Sequence, residues 1–151
     1  MLLDGTYDAN NVFAKILRGD APTVTVYEDG DVLAFMDLFP QSEGHVLVIS
    51  KGSTARNIVE VDATTLKQLI GAVQKITTAI CAALQPDGVV VAQLNGQAAG
   101  QTVDHFHIHI IPRWAGRPMK GHGQGERADP DRLRGLASKV ASALASSSVS
   151  R

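Results

Sequence analysis

The chain has 151 residues, of which 44% are hydrophobic and 19% are charged, a composition typical of one globular domain and unlike that of a disordered chain. No apolar run approaches the roughly 20 residues of a membrane-spanning helix, and no secretion signal is seen, so we expect a cytoplasmic protein without a membrane partner. No DNA- or RNA-binding motif is found either, so we expect no nucleic-acid partner. The net charge of −1 combines −6 over residues 1–112 with +5 over residues 113–151, and we interpret the basic end as a solvated helix face and polar tail.

The first third of the chain predicts a short helix followed by three strands. Asn10 or Asn11 can cap the helix, because apolar residues follow at helical spacing. The dipeptide Asp29-Gly30 is typical of a hairpin turn between two strands. The predicted strands in this part are residues 23–28, 32–37 and 44–50.

The remainder predicts a long helix, two strands and a last helix. Asp62 can cap the long helix, which ends near residue 84 and contains the single cysteine, Cys81, predicted to be a small core residue. Its apolar stripe comprises Leu66, Leu69, Ile70, Val73, Ile80 and Leu84. Strands follow at 89–94 and 103–112, and Asp129-Pro130 begins the final helix. Strands in hairpin order with few helices predict an α+β fold with an antiparallel five-stranded sheet.

Three of the five histidines, His105, His107 and His109, alternate with apolar residues in the last predicted strand. Alternate side chains of a strand share a face, so the three imidazoles are expected on one face and Phe106 and Ile108 on the core face. Three adjacent buried imidazoles are costly unless a ligand or a hydrogen-bond network satisfies them. The pattern therefore indicates a functional site.

Two kinds of site fit three such imidazoles. One is a metal site, because neutral imidazoles are common zinc ligands. The other is catalysis at phosphorus, in which one imidazole attacks and its neighbours donate hydrogen bonds. The turn at residues 100–102, whose backbone N–H groups and Thr102 hydroxyl can hold an anion, favours the second.

Residues 100–113 read Gly-Gln-Thr-Val-Asp-His-Phe-His-Ile-His-Ile-Ile-Pro-Arg and resemble the signature of the histidine triad (HIT) superfamily. Residues 12–22, 26–29, 33–40 and 44–49 are similar to the nucleotide-binding branch of that family, in the same order. The resemblance implies a HIT-like fold with a short N-terminal helix, a long central helix and a C-terminal helix. We expect an N-terminal lead at 1–11, a HIT domain at 12–113, a C-terminal extension with a helix at 114–145 and a flexible tail at 146–151.

The resemblance also implies catalytic roles for four residues and a phosphate contact. His107 would be the nucleophile that attacks the α-phosphorus of a nucleotide and forms a nucleotidyl-histidine, which water then hydrolyses. His109 would hold a phosphate oxygen, and His105 would orient the site through hydrogen bonds. Thr102 would lie near the leaving group, and Gln101 would help to frame the phosphate. No metal and no cofactor are implied.

The nucleotide itself is expected to lie in an apolar pocket beside a carboxylate. Asp37 would bind the ribose hydroxyls, since a carboxylate accepts two charge-assisted hydrogen bonds from them. The base pocket implied by the resemblance is lined by Phe13, Ile16, Leu38 and Leu47. Near the leaving group, where relatives usually carry an amide, this chain has Leu94, and a one-residue shift would bring Asn95 into that place.

Three further positions bear on the resemblance. Ser53 stands where relatives often carry a histidine. His45 matches a family histidine that we interpret as structural, and His122 is expected to be an exposed loop residue. The departures at Leu94 and Ser53 concern the choice of leaving group rather than the attack on phosphorus.

The expected function is a metal-independent nucleotide hydrolase or transferase. Purine nucleoside phosphoramidates, with an AMP-like substrate, are the first candidate class, and dinucleoside polyphosphates are the alternative. A nucleotide-binding module with little turnover and a metal-binding protein are the alternatives from other classes. The resemblance further implies a homodimer that joins two sheets, and the long helix offers an interface.

Overall fold

The structure is a computed structural model that describes residues 3–121 and 125–149. Within these ranges it has three α-helices and five strands in one antiparallel sheet, the α+β fold that the sequence predicts. Helices α1 to α3 are Val12–Leu17, Ala63–Leu84 and Pro130–Val149. Strands β1 to β5 are Thr25–Glu28, Val32–Met36, Val46–Ser50, Gly88–Ala92 and His107–Arg113. Their order in the sheet is β1-β2-β3-β5-β4.

One face of the sheet is covered by α2 and α3. Alternate side chains of the central strands, such as Val48 on β3 and Ile110 on β5, belong to this core. The two helices add Leu69, Val73, Ile76, Ile80, Leu133, Leu136, Val140 and Leu144. Because α3 contributes to this core, the C-terminal extension packs on the same sheet as α2.

The opposite face carries α1 and a smaller apolar cluster. The Asn11 side chain accepts a hydrogen bond from the N–H of Ala14 at 2.9 Å and so caps α1. Phe13 and Ile16 of α1 are buried together with Leu33, Phe35, Leu47 and Ile49 of the sheet. On β5 this face carries histidines instead, and the register pairs His109 with Leu47 and His107 with Ile49.

The last strand begins later than the sequence predicts. β5 starts at His107, so His105 lies before the strand and not within it. The neighbouring strand β3 already ends at Ser50, and the N–H of Phe106 bonds to the carbonyl of Ala55 at 2.9 Å. His105 is therefore placed by a loop rather than by the alternation of a strand.

Two side chains of α2 differ from the prediction. Cys81 is exposed, so its expected place in the core is wrong. One residue advances a helix by about 100°, which turns Cys81 away from its buried neighbour Ile80. Ile70 is 55% exposed although it belongs to the predicted apolar stripe.

Two further findings concern the helices. α3 continues to Val149, so residues 146–149 of the predicted tail are helical. None of the helices in the described part of the chain combines the length and the apolar character needed to cross a bilayer.

The segment between β5 and α3 returns to the loop that follows β2. The N–H of Lys120 bonds to the carbonyl of Gln41, and the N–H of Ala128 bonds to the carbonyl of Leu38, both at 2.9 Å. Arg132 of α3 also forms a 2.9 Å ion pair with Glu43. The loop at residues 37–45 is thus held from the C-terminal side of the chain.

Candidate active site

An apolar cleft with a volume of about 420 Å³ lies between α1 and the histidine face of the sheet. His107, His109, Asp37 and Thr102 line it, as predicted. The four residues predicted for the base pocket also line it: Phe13, Ile16, Leu38 and Leu47. The fold therefore brings eight of the eleven predicted site residues to one cavity.

The tautomer of His107 is set by its own backbone neighbourhood. Nδ1 of His107 lies 2.6 Å from the carbonyl oxygen of His105. A carbonyl only accepts, so Nδ1 carries the hydrogen and the lone pair of the neutral ring is on Nε2. The ring also meets Phe13 edge-on, with centroids 4.9 Å apart. A buried imidazole held in this way presents one nucleophilic nitrogen.

His45 belongs to the same site, although the sequence interpretation leaves it as a structural residue. Its Nδ1 accepts the N–H of Gln41 at 3.1 Å, and its Nε2 lies 2.9 Å from Nδ1 of His109. Because Nδ1 of His45 is the acceptor, Nε2 carries the hydrogen and donates it to His109. Nδ1 of His109 is then an acceptor, and Nε2 of His109 is a hydrogen-bond donor. The rings of His107 and His109 are 4.9 Å apart.

His105 supports the site from outside the cavity. It is 1% exposed, and its Nδ1 lies 2.8 Å from the hydroxyl of Tyr7. Burial lowers the pKa of His105, while a hydrogen bond with the backbone of Ser50 acts in the opposite direction. Burial therefore favours the neutral form of the ring.

Asp37 stands at the cavity wall where β2 ends. Its Oδ1 accepts the N–H of Phe39 at 2.8 Å, and its Oδ2 is 3.6 Å from Nε2 of His45. These contacts fix the carboxylate next to the histidines and on the same wall as the apolar base pocket.

Gln101 and Asn95, two predicted substrate contacts, are used within the loops. The amide nitrogen of Gln101 donates to the carbonyls of Arg56 and Val103, and its oxygen accepts the N–H of Gly96. Asn95 accepts the N–H of Ile58 at 2.8 Å and bonds to the Gln93 side chain. Both side chains hold the turn that leads to Thr102 rather than lining the cavity.

The two departures from the family pattern have local partners. Leu94 packs against Gly100, where an added Cβ would be 3.4 Å from its Cδ1. The Ser53 hydroxyl accepts the N–H of Ala55 at 3.1 Å and shapes the turn after β3. His122 lies outside the described residues.

Among the described residues, one group could offer three ligand atoms to a metal: Asp37, His45 and His109, whose donor atoms lie within 4.8 Å of one another. A metal binds an imidazole nitrogen that carries no hydrogen. The bond from Gln41 places the hydrogen of His45 on Nε2, the nitrogen that faces this group. As hydrogen-bonded here, the donor set does not fit a metal ion.

Sequence reasoning missed His45 and Tyr7. His45 follows Gly44 at the start of a predicted strand, and only the sheet register brings β3 beside β5 and so sets His45 against His109. Tyr7 lies in the predicted N-terminal lead, about a hundred residues from His105 along the chain. No local signal marks either contact, since both join distant parts of the sequence.

Comparisons with known proteins point to one family. The family model described as HIT domain matches residues 18–116. The chain is 45% identical to a HIT-like protein of Bartonella henselae involved in cell-cycle regulation, whose crystal structure superposes with a TM-score of 0.85 over 92% of this chain and 99% of that one.

Two other relatives carry more specific names. The chain is 35% identical over 138 residues to the adenosine 5′-monophosphoramidase hnt1 of Schizosaccharomyces pombe, covering 88% of this chain and 97% of the relative. It is 34% identical to a zinc-bound histidine triad family protein of Mycobacterium smegmatis, with a TM-score of 0.80 over 94% of this chain and 98% of that one.

Proposed function

The chain belongs to the HIT domain family, and on that basis we propose that it is a metal-independent nucleotide hydrolase or transferase that works through a nucleotidyl-histidine. The observation that carries the proposal is the 2.6 Å bond from Nδ1 of His107 to the carbonyl of His105. This bond leaves the lone pair of His107 on Nε2, in a ring that lines the cavity. A neutral imidazole with a fixed tautomer is a suitable nucleophile at neutral pH.

The proposed reaction has two steps. Nε2 of His107 forms a bond to the α-phosphorus, and the bond from phosphorus to the leaving group breaks, with the electron pair leaving on that group. The Nε2–H of His109 donates a hydrogen bond to the phosphoryl oxygens as negative charge develops there. In the second step water attacks the phosphorus, the bond to Nε2 breaks with its electron pair returning to the ring, and the nucleoside monophosphate is released. The proton that the water gives up balances the one that the leaving group takes from solvent.

The cavity supports a nucleoside substrate. Its apolar walls, including Phe13, Ile16 and Leu47, suit the flat face of a base, and Asp37 supplies a carboxylate for the ribose hydroxyls. We assign purine nucleoside phosphoramidates as the first substrate class, because the S. pombe relative is named an adenosine 5′-monophosphoramidase.

Detection of the covalent intermediate tests this proposal. Wild-type protein mixed with a fluorogenic adenosine phosphoramidate and quenched within one turnover is expected to carry a nucleotidyl group by intact-protein mass spectrometry. His107→Ala is expected to carry none and to lose several orders of magnitude in kcat. AMP binding is expected to weaken by only about 1–2 kcal/mol.

A substrate panel separates the proposal from its alternatives. Phosphoramidates, dinucleoside polyphosphates and nucleotidyl-hexoses are compared by kcat/KM, and faster cleavage of dinucleoside polyphosphates would reassign the substrate class. AMP binding without turnover or adduct in the wild type would show a nucleotide-binding module instead.

We also propose that the protein is a homodimer joined through β4 and α2. β4 is a terminal strand of the sheet in the described part of the chain, and such edges favour pairing with another strand. Ile58, Ile70 and Val91 are each about half exposed and border one apolar groove between β4 and α2. A second copy related by a two-fold axis would cover both the edge and the groove.

A further inference from the structure

The residues before α1 contact loops next to the proposed site. We call residues 3–11 the N-terminal strap. The carbonyl of Leu3 accepts a hydrogen bond from the Arg56 guanidinium at 2.7 Å, and its side chain packs so closely on Gly96 that an added Cβ there would be 2.7 Å from it. The strap is thus attached to the loops that precede the turn at residues 100–102, although the family match begins only at residue 18.

One side chain of the strap reaches the histidines. The hydroxyl of Tyr7 lies 2.8 Å from Nδ1 of His105, and the two rings are 5.7 Å apart. His105 also has the hydrogen bond with the Ser50 backbone described above, which favours its charged form. The Tyr7 hydroxyl and Nδ1 of His105 therefore share one hydrogen bond, and this bond together with the Ser50 contact fixes the ring.

We propose that Tyr7 is a positioning residue for the nucleophile: its hydroxyl holds the His105 ring, and this ring holds the carbonyl that orients His107. Tyr7 acts through His105, because it is absent from the residues that line the described cavity. The proposal rests on the proposed function of His107 and adds a residue from outside the family domain to the catalytic machinery.

The chain offers a matched pair of variants, since it has two tyrosines. Tyr7→Phe keeps the ring contact with His105 and removes the hydroxyl that bonds to its Nδ1. Tyr27→Phe removes a hydroxyl that donates to Asp29 at 2.6 Å, on the strand β1 at the far end of the sheet. We expect Tyr7→Phe to lower kcat on an adenosine phosphoramidate about tenfold, which corresponds to one lost hydrogen bond. KM should stay within about twofold for both variants, and Tyr27→Phe should keep the wild-type kcat.

A second readout does not depend on turnover. Two-bond ¹H–¹⁵N spectra of the full chain report which nitrogen of each imidazole carries the hydrogen, and His105→Asn assigns the His105 signals. Tyr7→Phe should move the Nδ1 signal of His105 toward that of a nitrogen without a hydrogen-bond partner, and should broaden or shift the His107 signals. Tyr27→Phe should move neither.

The outcomes are distinct. If His105 and His107 signals are the same in Tyr7→Phe and wild type, the positioning role is wrong, whether or not the protein turns over nucleotides. A raised KM with unchanged kcat would also overturn it, since Tyr7 would then contact substrate. Wild-type protein without adduct or turnover would refute the proposed function alone, and the spectra would still test the bond from Tyr7.

Discussion

Nε2 of His45 lies 2.9 Å from Nδ1 of His109, and this contact joins the start of β3 to the middle of the histidine strand. The N–H of Gln41 sets the hydrogen of His45 on Nε2, so the chain of bonds runs in one direction from the backbone to the cavity. The hydrogen on Nε2 of His109, the proposed donor to a phosphoryl oxygen, is therefore set through His45 by the peptide N–H of Gln41.

Two substitutions of His45 test whether its hydrogen bond to His109 matters, or only its volume. The amide nitrogen of Gln in His45→Gln can occupy the place of Nε2 and still donate to His109, whereas the shorter Asn in His45→Asn cannot reach it. We expect His45→Gln to keep kcat within about threefold and His45→Asn to lose about tenfold or more, because an undefined His109 tautomer weakens charge stabilisation. Thermal unfolding of both variants gives the control for folding. Equal losses of kcat in the two would mean that His45 only fills space.

Asp37→Asn tests the ribose contact. We expect the variant to weaken binding of AMP more than binding of 2′-deoxy-AMP. The wild-type preference for AMP over 2′-deoxy-AMP, expected to be about tenfold or 1.4 kcal/mol, should therefore become smaller. Calorimetry with both nucleotides measures the ratio. Asp31→Asn, which alters an exposed residue in the β1–β2 turn, should leave the ratio unchanged. Equal weakening of the two nucleotides by Asp37→Asn would assign the carboxylate to its bonds with Phe39 and His45.

Removal of metal should leave activity intact. His45 would have to give up its bond to Gln41 before its Nε2 could ligate an ion, and His107 supplies the nucleophile without a metal-bound hydroxide. After exhaustive EDTA treatment we expect full kcat, and less than about one zinc per ten chains in the purified protein. A stoichiometric zinc whose removal stops turnover would contradict the mechanism and align this chain with its zinc-bound mycobacterial relative.

His105 should make the protein less stable in mild acid. Burial lowers the pKa of this histidine in the folded state, so the unfolded chain binds a proton more readily. The free energy of unfolding therefore has its full value above about pH 6.5, the ordinary pKa of histidine, and decreases as the pH falls below that value. For one proton the decrease is at most about 1.4 kcal/mol per pH unit. Urea unfolding between pH 7.5 and 5 measures the slope. His105→Asn should flatten the slope, and an unchanged slope would exclude His105 as its source.

The dimer is tested by charge placed in the groove between β4 and α2. Ile70→Asp and Val91→Asp are expected to convert the protein to monomers in sedimentation experiments at micromolar concentration, because a buried unpaired carboxylate is costly in an interface. Ser138→Asp, on the exposed side of α3, serves as the control and should not change the mass. A wild-type protein that is already monomeric would contradict the proposed assembly.

Local periodicity predicts the sheet and the helices, whereas the residues that line the cavity are implied by the resemblance to the HIT family. Asp62 caps α2 through the N–H of Thr65, and α2 ends at Leu84, as the pattern indicates. The bonds of His45 depend on strand register, which a pattern along the chain does not contain. The same holds for Cys81: both a buried and an exposed position are compatible with its residue type, and only the packing of α2 decides between them.

For His105 the sequence predicts the right location from the wrong secondary structure. Alternation along a strand predicts its place correctly on the side of His107, but for a reason that the structure does not support, since the residue precedes β5. Its position depends on the end of β3, on Ser50 and on Tyr7. Each of these lies far from it in sequence, so residue spacing alone could not identify them.

The peptide group of Gln41 connects the histidines to the segment between β5 and α3. Its N–H sets the tautomer of His45, while its carbonyl is bound by the N–H of Lys120 from the segment between β5 and α3. Lys120 thus acts on the proposed catalytic histidines from a segment whose described residues do not line the cavity. We expect substitutions at residues 117–121 and 125–128 to change the rate more than the substrate preference, so that the two properties can be adjusted separately.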